Sequence, residues 1–244
     1  MNGWTQRKLN HTDIRVGPCA WRLPMLTGND RDYVRAHPSL IVVNPTDSDE
    51  ILRNAGPHAT GMPVLLAIKE PAFARQLRDS ILQRLNALGL DRVDALVLHV
   101  QDPAEIKSGG LLQTMFELRD SGTVGCLGLA HPDSTVAEWL SLNAATRLLG
   151  LTYSLHDQSA AYRAIPSAQE YGMSAFDLTC PDDDEAIRFA LAQSNQVLPV
   201  LDRPIPTGLT PMNNDQAAEA WQTYSQNHPP PEPLKRGRPP MADI

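Results

Sequence analysis

Short, wholly apolar runs recur along the chain with amphipathic stretches between them. "VGPCAW" (16–21), "LIVVN" (40–44), "PVLLAIK" (63–69), "DALVLHV" (94–100), "CLGLAH" (126–131), "LLGLTYS" (148–154), "SAFDLTC" (174–180) and "QVLPVLD" (196–202) are too evenly apolar for strands with one wet face. They read as strands buried on both sides, the mark of a parallel sheet. The intervening stretches carry helical spacing. The clearest places Phe73, Leu77, Ile81, Leu85 and Leu88 at intervals of three or four, with Arg75, Arg78, Asp79 and Arg84 between them and Gly89 as the stop. "SDEILRNAG" predicts a short helix with Ser48 as N-cap and Gly56 just past its end. "DSTVAEWLSL" is capped by Asp133 or Ser134, and Pro166 starts or kinks the helix in "AYRAIPSAQEYG". "DRDYVRAH", "LLQTMFELRDSG", "DDEAIRFALAQS" and "NDQAAEAWQTYS" complete the helical set. Ahead of the first strand, "RKLNHTDIRV" predicts a hairpin turning at Asn10–Asp13.

Strands alternating with helices give eight units, which close as a (β/α)8 TIM barrel, a fold of typically ~250 residues. A doubly wound open sheet is the alternative. The lack of a Gly-rich phosphate loop after the first strand counts against its dinucleotide-binding form. The barrel is expected over residues 1–226 and a disordered or extended Pro-rich tail over 227–244, "NHPPPEPLKRGRPPMADI".

Composition narrows the partners. A net charge of -7 argues against nucleic-acid or anionic-membrane binding. The opening "MNGWTQRKLNHTD" has no apolar core of a signal peptide, and no run approaches the ~20 apolar residues of a membrane span. Cys19, Cys126 and Cys180 are odd in number and far apart, as for reduced thiols in the cytoplasm rather than a disulfide framework or a zinc site. "KRGRPP" (235–240) resembles the core of an AT-hook, which lies along a narrow minor groove. One such core beside an acidic domain reads as a solvated tail, so the expected partner is a small molecule or a protein.

In such barrels the working groups stand at the C-terminal ends of the strands. There the sequence places Asn44, Lys69, His99 and His131 after successive strands, then Tyr153, Asp177 and the pair Asp202–Arg203. Lys69 and His99 end neighbouring strands and are expected to share a pocket. No carboxylate or thiol stands at ligand spacing from His99 and His131, so no metal is expected.

These segments are similar to aldo-keto reductases from about residue 6 to about residue 203. "RKLNHTDIRVGPCAWRL" resembles the opening hairpin of that family. "ILQRLNALGLDRVDALVLHVQDP" resembles the family signature around the fourth strand, "LLQTMFELRDSGTVGCLGLAH" that around the fifth, and "LTYSLHDQSA" that around the sixth. The resemblance implies NADPH-dependent carbonyl reduction by a Tyr, Lys, Asp and His tetrad. The Tyr donates the proton, the Lys lowers its pKa, the Asp pairs with the Lys and the His orients the carbonyl. Lys69 matches the lysine and His99 the histidine. The family's Asp and Tyr lie after the second strand, where this chain reads "VNPTDSDEILRNAG": Asn44 stands for the aspartate and no tyrosine follows. Tyr33 precedes that strand, at the wrong end. The family's cofactor-binding Ser-Asn reads Ala130–His131, its Gln falls on Gly150 and its nicotinamide-stacking Tyr on Leu178. After the eighth strand, Arg203 is the one basic residue of "DRPIPTGLTPMNND".

Three readings follow. One is a pseudo-enzyme or regulatory subunit that keeps the fold, with no cofactor. A second is a barrel repurposed for non-redox acid–base chemistry by Lys69 and His99, the Asn44 replacement leaving Lys69 without its counter-charge. The third is an NADPH-dependent reductase of a small carbonyl compound.

Overall fold

A computed structural model of the chain describes residues 6–231 apart from 72 and 109, so "KRGRPP" and the rest of 232–244 lie outside the described residues. The chain opens with a hairpin, β1 (Arg7–Lys8) against β2 (Arg15–Val16), antiparallel. Leu9 N–H donates to Ile14 O across the turn (3.0 Å), and His11 takes a left-handed φ of 53° inside it.

The barrel strands follow: β3 (Ala20–Arg22), β4 (Ile41–Val43), β5 (Val64–Lys69), β6 (Val93–His99), β7 (Val124–Ala130), β8 (Leu148–Leu151) and β9 (Ser174–Asp177). The eighth strand is broken at Pro199 into β10 (Val197–Leu198) and β11 (Val200–Leu201). β10 pairs with β9 and β11 with β3, all in parallel, so this split strand joins the two ends of the sheet and closes the ring. Proline suits the switch of partners: it has no N–H to donate, while its carbonyl accepts from Ala20 N (2.8 Å).

Period-two alternation sorts the strand residues between two cores. Ala20, Leu40, Val42, Leu65, Ala67, Ala95, Val97, Ala130, Leu148, Phe176, Leu198 and Val200 fill the barrel, and Leu9, Ile14 and Val16 of the hairpin plug its floor. The alternate residues, with Trp21, Ile41, Leu66, Leu96 and Leu149 among them, face the helices. Those helices are α1 (Arg31–Ala36), α2 (Asp49–Ala59), α3 (Ala74–Leu88), α4 (Pro103–Ser108), α5 (Gly110–Asp120), α6 (Ser134–Asn143), α7 (Ala164–Glu170), α8 (Asp184–Ala192) and α9 (Asn214–Asn227).

Helix α3 buries Leu77, Ile81, Leu85 and Leu88 and ends on Gly89, whose φ of 67° lets its N–H turn back to Asn86 O. Phe73 departs from the predicted stripe: it precedes the first turn and is 60% exposed. Gly56 departs further. It does not end α2 but sits inside it, where a Cβ would stand 2.2 Å from Leu88 O of α3. Its missing side chain lets the two helices touch, a packing reason that sequence punctuation does not distinguish from a stop signal. Helix α4 was not anticipated. Asp102 Oδ1 caps it by accepting from Ala104 N (2.8 Å), with Pro103 at its first position. No helix among the described residues is long and apolar enough to cross a membrane.

Candidate site at the barrel mouth

The inward register continues past the apolar layers to the C-terminal end. Arg22 follows Ala20 by two, Asn44 follows Val42, Lys69 follows Ala67, and His99 follows Val97. The ladder places Lys69 directly opposite His99. The structure therefore gathers Asn44, Lys69 and His99 at one mouth, together with Arg22, which the sequence reading missed. Its signal was the alternation itself: a cation two positions beyond an inward alanine.

Arg22 organises the β4–α2 corner. Its Nη2 meets Asp47 Oδ1 at 3.0 Å, with side chains 17% and 4% exposed respectively. With the Asn44 amide turned so that its oxygen faces the guanidinium, Asn44 Oδ1 accepts from Arg22 Nη1 and Nη2 at 2.8 and 3.1 Å. Asp47 Oδ2 accepts from Asn44 N (2.7 Å), closing the loop on itself. From behind, Arg84 of α3 donates to Asn44 O (2.6 Å) and to Asp47 O (3.3 Å), and burial lowers its pKa. Asn44 and Asp47 are thus committed to Arg22, and Lys69 has no ion pair or hydrogen bond among the described residues.

Lys69 is exposed, whereas His99 is half-buried and His131 partly so. Burial lowers the His99 pKa, and repulsion from the protonated forms of His131 and Lys69 lowers it further. Burial also lowers that of His131, against the pull of Asp133. Asp133 N–H donates to His131 Nδ1 (3.0 Å), so the neutral ring carries its proton on Nε2. The mouth therefore sets the Lys69 amine beside two imidazoles whose charged forms are disfavoured by burial.

Of the remaining candidates, Asp177 lines a small cavity at the mouth together with Arg22, Asn44 and His99, whereas Tyr153, Asp202 and Arg203 do not. Strand β8 ends at Leu151, so Tyr153 lies beyond it, 6% exposed, with its ring 5.5 Å from Phe189 in the helix-facing core and its pKa raised by burial to about 12. Asp177 is 2% exposed and spends its carboxylate on Tyr153 N (3.1 Å), Thr179 N (2.9 Å) and Thr179 Oγ1 (2.5 Å). Burial raises its pKa to about 6 against those hydrogen bonds. Arg203 pairs with Asp184 of α8 (3.1 Å), and Asp202 is exposed. Cys180 Sγ accepts a long contact from Arg22 Nη1 (3.8 Å). Among the described residues no group of three or more His, Cys, Asp or Glu is placed to hold a metal ion.

The space between these groups is small. The cavity bounded by Arg22, Asn44, His99, Phe176, Asp177, Leu178 and Cys180 measures about 10 Å³. Over Gly150, where a side chain would otherwise point inward, Phe176 Cζ and Leu178 Cδ2 come within 2.7 and 3.1 Å of the Cβ position.

No protein-family model matches the chain, and no curated protein sequence is measurably similar to it. Its backbone, however, superposes on solved structures. The holo form of an aldo-keto reductase from Bacillus halodurans aligns with TM-score 0.72 and 12% identity, over 90% of this chain and 96% of that one. An aldo-keto reductase from Klebsiella pneumoniae, solved in complex with NADPH, aligns with TM-score 0.70 and 12% identity, over 97% of this chain and 100% of that one. A putative aldo-keto reductase from Pseudomonas aeruginosa aligns with TM-score 0.66 and 18% identity, over 91% and 95%. Residue identity this low speaks to architecture alone: the chain is a closed (β/α)8 barrel with the fold of the aldo-keto reductases.

Proposed function

We propose that this chain is an oxidoreductase-like barrel that does not carry out NADPH-dependent carbonyl reduction and serves as a binding or regulatory protein, its ligand a small molecule or a protein partner. The observation that carries the reading is the small space left among Arg22, Asn44, His99 and Asp177 at the mouth. A space of about 10 Å³ holds about one water, where small-molecule sites usually span ~300–1,000 Å³. No tyrosine lines it. Asn44 and Asp47, the polar groups nearest the lysine in sequence logic, are occupied by Arg22.

The residues also fit NADPH poorly. Phe176 and Leu178 fill the space over Gly150, and Arg203, the one cation after the eighth strand, is held by Asp184. Three free cysteines suit a reducing compartment such as the cytoplasm.

Titrating NADPH fluorescence with the purified chain tests this. The expected result is no binding up to millimolar cofactor and no carbonyl-dependent NADPH oxidation. Micromolar binding would overturn the reading in favour of the reductase, which the likeness to a protein solved with NADPH favours. In that case turnover should fall in Lys69→Ala and His99→Ala.

A further inference from the structure

A second cavity lies at the opposite end of the barrel. It is an open cleft of about 960 Å³ between the hairpin turn, the start of β7 and the segment joining α6 to β8. Three guanidiniums border it: Arg92 just before β6, Arg119 at the end of α5 and Arg147 just before β8. Arg119 is held by Asp120 (2.8 Å). The side chains of Arg92 and Arg147 have no hydrogen bond or ion pair among the described residues. Two carboxylates also line the cleft: Asp13, paired with Lys8 (3.0 Å), and Asp94, whose Oδ2 accepts from Val64 N (2.9 Å).

Two uncommitted guanidinium side chains in one concave site match the oxygens of a phosphate group, which guanidinium forks bind in bidentate fashion. We propose that this cleft binds a small phosphate-bearing anion, with Arg92 and Arg147 holding its charge. The site is separate from the barrel mouth, and the proposal does not depend on what the mouth does.

Calorimetric titration of inorganic pyrophosphate into the full chain tests it. The wild type should bind in the sub-millimolar range. Arg92→Gln with Arg147→Gln should weaken binding by at least about tenfold, two charge-assisted hydrogen-bonding groups being lost. Lys69→Gln, at the other end of the barrel, should change nothing. Absence of binding at millimolar pyrophosphate would overturn the proposal. So would binding that survives the arginine changes, or binding that Lys69→Gln abolishes, which would place the anion at the mouth.

Discussion

Replacing Arg22 by methionine tests whether the corner beneath the mouth is held by a buried charge. Arg22 and Asp47 meet at 3.0 Å with side chains 17% and 4% exposed. In Arg22→Met the Asp47 carboxylate keeps Asn44 N as donor and feels Arg84 behind it, but loses its ion-pair partner. Breaking one side of a buried pair costs ~3–5 kcal/mol, and the remaining Arg84 field argues for the lower end, about 3 kcal/mol. For a chain of this size each kcal/mol corresponds to ~2–4 °C, so the melting temperature should fall by about 6–12 °C. Urea unfolding should show the same loss as a lower midpoint with an unchanged slope. The double variant Arg22→Met with Asp47→Asn removes both charges while leaving an acceptor for Asn44 N. It should recover at least about 1.5 kcal/mol, the non-additivity of residues in contact. A single-variant loss under about 1 kcal/mol, or a double variant equal to the sum of the singles, would refute the argument.

Other perturbations probe separate parts of the molecule. Gly56→Ala should lower stability by about 1–3 kcal/mol despite its gain in helix propensity, because its Cβ meets a backbone carbonyl of α3; a more stable variant would show that the helices separate freely. Asp177, with its pKa raised to about 6 by burial, binds more protons folded than unfolded, so its contribution to stability is lost as pH rises from about 4 through 6. Asp177→Asn should therefore stabilise the protein at pH 8 and not at pH 4 in thermal melts, and equal effects at both would contradict this. His99 has the opposite sign: its pKa lies below the ordinary 6.5, so the folded state binds fewer protons and stability falls as pH drops below about 6.5. By NMR titration, Lys69→Met should raise the His99 pKa by removing a like charge, and no change would mean the two groups do not feel each other.

The ring was legible in the sequence because its signal is redundant. Eight apolar runs each had to be buried on both faces, and few architectures bury eight parallel strands at this length. Strand ends were less legible. "LLGLTYS" and "SAFDLTC" continue in apolar and β-branched residues beyond Leu151 and Asp177, where pairing stops, so Tyr153 was assigned to a mouth it does not face. Gly56 and Arg22 failed for another reason. Each is explained by a partner distant in sequence, Leu88 for the glycine and Asp47 for the arginine, and local punctuation carries no information about partners. Arg22 was nonetheless recoverable from alternation, since it holds the same inward parity as Ala20.

The split eighth strand has a consequence for synthesis and truncation. Residues Ala20–Arg22 emerge early, yet one of their two strand partners is Val200–Leu201. Until that late segment arrives, β3 is an open edge with unsatisfied backbone donors and acceptors, the geometry that recruits other chains. Val197–Leu198 is likewise the strand that covers the far side of β9 among the described residues. A chain interrupted before residue 197 would present two such edges at once, and its failure should be self-association rather than mere loss of the last helix.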